Sequence, residues 1–135
     1  MTPLTNASAY IPGECNINSQ EISYRRRVGY VGVGLFIISL IAIISYATIV
    51  WWRLLLILPA YVAAIGLLQA YHKFCVAYGS TGRQNAEPGS RQAHTVTSEA
   101  ALHKDRRRSR VIQLQAATVA IVATLLSLLI PPLNR

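Results

Sequence analysis

Three stretches of this chain carry no Asp, Glu, Lys or Arg: Val28 to Trp52, Leu54 to His72 and Val111 to Asn134. A helix rises about 1.5 Å per residue, so apolar runs of roughly 20 residues match the hydrocarbon thickness of a bilayer. A helix on a soluble core would show a charged outer face at every turn or so. These stretches show none. The charged fraction of the whole chain is 13%, about half of what a soluble domain carries. The reading is an all-α integral membrane protein with three transmembrane helices, at about 28–50, 54–78 and 111–130.

Residues 1–27 are expected to be a polar, irregular tail, with Gln20 to Arg27 a short interfacial helix leading into span 1. Its Pro3, Pro12, Gly13, Glu14 and Glu21 do not make the apolar core of a cleaved leader, so span 1 is expected to be retained. Trp51-Trp52-Arg53 separates spans 1 and 2 and suits a headgroup-level anchor. Only a tight connection fits there, so 28–78 reads as an antiparallel transmembrane hairpin. Pro59 falls in the first turn of span 2, where a missing N–H costs least. Span 2 should run to Tyr78, with Gly79 capping its end. Residues 79–110 read as a basic loop, flexible when unpartnered, followed by an interfacial helix capped at Thr97 or Ser98. That helix would run into span 3, and 111–135 would hold the span and a short tail.

Small residues line each span. Gly29 and Gly32 in span 1, Ala63, Gly66 and Ala70 in span 2, and Ala116 and Ala120 in span 3 are candidate packing positions, because small side chains let helix backbones approach in lipid. Gln69 is the most polar residue inside a span and is expected to hydrogen-bond across helices.

The net charge of +8 is concentrated at span ends. Eleven of the 13 basic residues lie before span 1, at the closing end of span 2 or between spans 2 and 3, among them Arg25, Arg26, Arg27, Lys73, Arg106, Arg107, Arg108 and Arg110; the other two are Arg53 and Arg135. This bias predicts an inner-membrane orientation with the N-terminus and the 2–3 connection cytoplasmic and the C-terminus outside. It also predicts attraction to anionic lipid or to an acidic partner subunit. Nucleic acid is not expected, because no aromatic platform accompanies the charge.

Candidate chemistry is sparse. Cys15 and Cys75 are possible redox thiols on the cytoplasmic side, where a structural disulfide is not the default. His72 is a possible contact for haem or (bacterio)chlorophyll at the membrane surface. There is no intramembrane carboxylate for coupled transport, no hydrolase motif, and no local cluster able to hold a structural metal.

Residues 25–79 resemble a family of small bacterial inner-membrane domains of poorly defined function, which includes the helical hairpin appended to membrane-bound rhodanese. The resemblance lies in Arg27 with Gly29, in Pro59, in Leu67-Leu68-Gln69 and in Phe74-Cys75. Val76 stands where a proline often follows the cysteine, and a third span and a basic loop are added. The resemblance implies a membrane hairpin that packs on itself or on partners, without a sulfur-transfer domain. Together these features lead to the expectation of a non-catalytic accessory or scaffold subunit of a larger membrane complex, respiratory or photosynthetic, with bound lipid and no intrinsic cofactor. The alternatives are a homo-oligomeric channel or small-solute transporter, and a thiol-based redox or sulfur-handling protein using Cys75.

Overall fold

The computed structural model describes residues 10–46 and 49–133. The chain is mostly helical. Its elements are α1 (Ser19–Tyr46), a 3-10 helix (Val50–Leu56), α2 (Ile57–His72), α3 (Val76–Thr81), the strands β1 (Arg83–Gln84) and β2 (His94–Thr95), and α4 (Glu99–Ser127). Three helical segments are long and apolar enough to cross a membrane: Ser19–Tyr46, Val50–His72 and Glu99–Ser127.

The expected interfacial helix at Gln20–Arg27 is the first two turns of α1 itself. Asn18 caps the helix by accepting from the Glu21 N–H at 3.1 Å. Glu21 lies in the first turn, where the helix dipole favours an acid, and pairs with Arg25 at 3.5 Å. No proline interrupts the passage from this charged turn into the apolar stretch, so the helix continues unbroken. It ends at Tyr46, short of the expected Val50.

α2 lies between α1 and α4. Gly29 and Gly32 pack on α2 at Leu67 and Ala63 respectively, and Gly66 packs on the Gly29 backbone. The register falls along one helix as it rises along the other, so the two run antiparallel. A Cβ on Gly29 would sit 2.6 Å from Leu67 Cγ, and one on Gly66 would sit 2.6 Å from the Gly29 nitrogen. Only glycine permits that approach. Gly34 faces open space and takes no part. α4 lies antiparallel to α2, with His72 beside Gln115 at one end and Arg53 against Ser127 at the other. Its buried stripe is Ala101, Asp105, Ser109, Ile112, Ala116, Ala120, Thr124 and Ser127, at helical spacings of three and four.

Two expectations are corrected at the end where the chain enters. Span 2 does not run to Tyr78. α2 stops at His72, Lys73 takes a left-handed conformation (φ 55°), and a separate short helix begins at Val76. The Phe74 N–H reaches the Gln69 carbonyl at 3.0 Å and the Lys73 N–H reaches Ala70 at 3.3 Å, the paired bonds of a Schellman ending. Gly79 therefore caps nothing. It lies inside α3, pressed against Ser109 and the Phe74 ring, and Gly82 (φ 76°) ends that helix.

The second correction concerns the segments on either side of the helices. Residues 10–18 are not an irregular tail, and 79–97 is not an independent loop. Ile17 pairs with Asn85 in a parallel bridge, and β1 pairs with β2 through Arg83–Thr95 and Gln84–His94. Asn18 donates to the Glu87 and Ser90 carbonyls, both at 2.9 Å. The two segments form one cap over the ends of α2 and α4. Two-residue strands, single bridges and the carboxamides of Asn16 and Asn18 hold it, none long enough to set a periodic pattern, so hydropathy gives no sign of it. Residues 1–9 of the expected tail lie outside the described residues.

Candidate functional site

The cap converges on the break between α2 and α3. Breaking a helix there frees backbone groups that burial would leave costly unless paired. Asn16, fully buried, pairs one of them and binds its neighbour: its Oδ1 accepts from the Cys75 N–H at 2.6 Å, and its Nδ2 donates at 3.0 Å to the Cys75 carbonyl, which also takes the Gly79 N–H. The Asn16 N–H also donates to Lys73 at 3.3 Å, and its carbonyl accepts from Asn85 at 2.7 Å. Gln69 Oε1 takes the Val76 N–H at 2.8 Å, and Ser109 Oγ donates to the Val76 carbonyl at 3.1 Å. Gln69 thus staples the break next to its own helix and does not bridge spans.

Cys75 sits at the centre of this junction with no exposed surface. Arg25 Nη2 lies 3.1 Å from its sulfur. Arg26 and Arg27 point to the exterior, so the arginine triplet divides between an inward guanidinium and an exposed pair. Lys73 is exposed as well. Cys15 and Cys75 are both free and buried. Burial pushes the Cys15 thiol above the ordinary range, against weaker opposing effects of the Ile17 carbonyl contact and of Lys73. A buried, protonated thiol is a poor nucleophile.

His72 has both ring nitrogens engaged. Arg108 Nη2 lies 2.9 Å from Nδ1, and Gln115 Oε1 lies 3.2 Å from Nε2. A guanidinium only donates and this amide oxygen only accepts, which assigns the proton to Nε2. Axial ligation of a haem or chlorophyll would have to displace one of these partners.

Asp105 was hidden in the basic run of the sequence. It is fully buried and accepts from the Tyr10 hydroxyl and from the Gly13 N–H, each at 2.7 Å. The one carboxylate among these arginines is therefore committed to the cap. Among the described residues no carboxylate pairs with Arg106, Arg107, Arg108 or Arg110. Arg106, Arg107 and Arg110 are exposed.

At the opposite end Arg53 departs from its expected place at the surface. It is 4% exposed and donates to the Ser127 and Ile130 carbonyls at 2.5 and 2.6 Å, closing the C-terminus of α4. The cation sits at the negative end of the helix dipole. Trp51 and Trp52 remain exposed beside it.

Of the expected packing residues, Gly29, Gly32, Ala63, Gly66, Gln69, Ala70, Ala116 and Ala120 are all buried. Among the described residues no group of three or more His, Cys, Asp or Glu is placed to hold a metal ion. Asn16, Asp105, Ser109 and Arg53 were missed by sequence reasoning. For Asp105 and Ser109 a signal existed: they extend the Ile112–Ala116–Ala120 stripe backward through the charged segment at helical spacing.

Comparisons with protein-family models, with curated proteins and with solved structures found no match to this chain.

Proposed function

We propose that this chain is a non-catalytic, three-span accessory subunit of a larger membrane assembly. It would be a bacterial inner-membrane protein with spans 1 and 2 as a transmembrane hairpin, its cap cytoplasmic and its C-terminus outside. One observation carries the reading: the polar side chains buried among the helices are consumed in holding the chain's own backbone. Gln69 and Ser109 bind Val76, Arg53 closes α4, and Thr124 Oγ1 donates to the Ala120 carbonyl at 2.8 Å. The clefts beside the spanning parts of α2 and α4 are lined mainly by apolar side chains such as Leu58, Val62, Leu68 and Val119. A solute path needs polar groups or ionisable residues facing it. Such a build supports a role in assembly, in an energy-transducing complex or another of comparable size, over a channel.

Solubilisation in a mild detergent followed by native mass measurement tests this. Co-migration with larger proteins is the expected result. A closed ring of this chain alone would sink the subunit reading and favour the channel.

A second reading draws on the Arg25–Cys75 contact, since a guanidinium beside sulfur is a common setting for reactive thiols. On that reading Cys75 is a redox or sulfur-handling group. Cys75→Ala decides it: an unchanged phenotype, together with no labelling of Cys75 by a thiol reagent in the folded protein, removes this alternative.

A further inference from the structure

One face of α4 changes character along its length. Arg106 and Arg107 lie three and four residues beyond His103, and Arg110 lies four and three beyond them, so the four share a face. They line a cleft together with Leu102 and Glu99, which lies two turns before Arg106. The same spacing continues the stripe through Gln113 and Ala117 to Ala120 and Ile121. Arg110 is the last charged residue of α4, so the polar-to-apolar boundary of the helix falls on this face, just beyond it.

The clefts along the stripe are contiguous. Arg110 lines both the basic cleft and the next one, which it shares with Tyr61, Gln113 and Ala117. Tyr61 and Ala117 in turn line a groove between α2 and α4 whose walls are otherwise aliphatic, with Leu58 and Val62 opposite Ile121. That groove measures about 390 Å³, within the roughly 300–1,000 Å³ of ligand clefts. From Arg110 to Ile121 the helix advances roughly 16 Å at about 1.5 Å per residue, close to half the hydrocarbon thickness of a bilayer.

We propose that this stripe binds one anionic phospholipid. Its phosphate would lie on Arg106 and Arg110, and an acyl chain would fill the groove between α2 and α4. Charge complementarity selects the headgroup, because Asp105 is turned inward and these guanidinium groups have no carboxylate partner among the described residues. The apolar groove at the adjoining depth selects a lipid over a soluble phosphate. Such a site needs only the three spans, not a host complex.

The full chain in mild detergent would be titrated with phosphatidylglycerol and with phosphatidylcholine of the same acyl chains, and bound lipid counted by native mass spectrometry. One phosphatidylglycerol should bind at least tenfold more tightly than phosphatidylcholine. Arg106→Gln with Arg110→Gln should erase that preference, and both residues are exposed, so the fold is not at stake. Ala117→Phe should weaken both lipids about tenfold by filling the groove. Equal binding of the two lipids, an unchanged preference in the double variant, or displacement of the lipid by an equal concentration of inorganic phosphate would each overturn the proposal.

Discussion

Asn16 holds Cys75 by both of its backbone polar groups, with the N–H at 2.6 Å and the carbonyl at 3.0 Å. The carboxamide imitates the edge of a strand. It accepts the chain break after α2 and hands the direction of the backbone on to α3. The N-terminal segment is thereby a structural part of the helix bundle.

Replacing Asn16 with Leu should destabilise the fold by about 1–3 kcal/mol, the cost of leaving the buried Cys75 N–H unpaired, while the Cys75 carbonyl keeps the Gly79 N–H at 3.0 Å. Asn85 provides the contrast. It is equally buried, yet its side-chain nitrogen and oxygen find no partner among the described residues. Asn85→Leu should therefore be neutral or stabilising. Equilibrium unfolding in detergent compares the two. Equal losses would mean that both positions act through packing alone.

The three spans were legible because charge is excluded from them, a property of composition that needs no partner. The start of α4 was legible for a local reason: Ser98 Oγ accepts from the Ala101 N–H at 3.4 Å, and Glu99 follows in the first turn. The cap was not legible. Asn16 and Cys75 are far apart in sequence, and a carboxamide that substitutes for backbone leaves no periodic trace. The end of α2 was misplaced for the same reason. Nothing at Lys73 announces a left-handed residue, whose strain of roughly 1–2 kcal/mol is offset by bonds from distant segments. Arg53 was misread because an arginine beside two tryptophans suits the surface, and only the approach of the α4 terminus gives it a buried role.

Arg53→Ala should release the last turn of α4. Charge-assisted bonds to its carbonyls are each worth about 1.5–3 kcal/mol, so a loss of about 2–4 kcal/mol is expected. The loss should be local. Hydrogen exchange in the last turn should accelerate while the amides of α3 keep their protection. Uniform acceleration across the chain would show that Arg53 supports the whole bundle.

The glycines of α1 should separate by position. Gly32→Val drives a side chain into the Ala63 backbone and should part α1 from α2. Gly34→Ala meets nothing within 4 Å and should stabilise the helix by up to about 1 kcal/mol through propensity. Melting curves of the two variants should shift in opposite directions. A parallel shift would place the α1–α2 contact elsewhere.

The cap should loosen in alkali, and Tyr10 sets the range. Its hydroxyl donates to Asp105 at 2.7 Å. Burial, then the hydrogen bond to Asp105, then that carboxylate's charge raise the Tyr10 pKa well above the ordinary tyrosine value. A raised folded-state pKa means that the folded chain holds this proton more tightly than the unfolded chain. The stabilisation is fully present below the ordinary value of about 10 and is lost as pH climbs above it. Tyr10→Phe removes the donor and should cost about 1–2 kcal/mol near neutrality, because the buried Asp105 loses one of its two partners. The variant should also show a shallower fall of stability above pH ~10 than the parent. An ultraviolet difference titration of parent against Tyr10→Phe isolates this phenol among the seven tyrosines. Its midpoint should lie above the ordinary tyrosine value. A midpoint at the ordinary value would mean that the Tyr10–Asp105 bond does not hold the N-terminal segment in place.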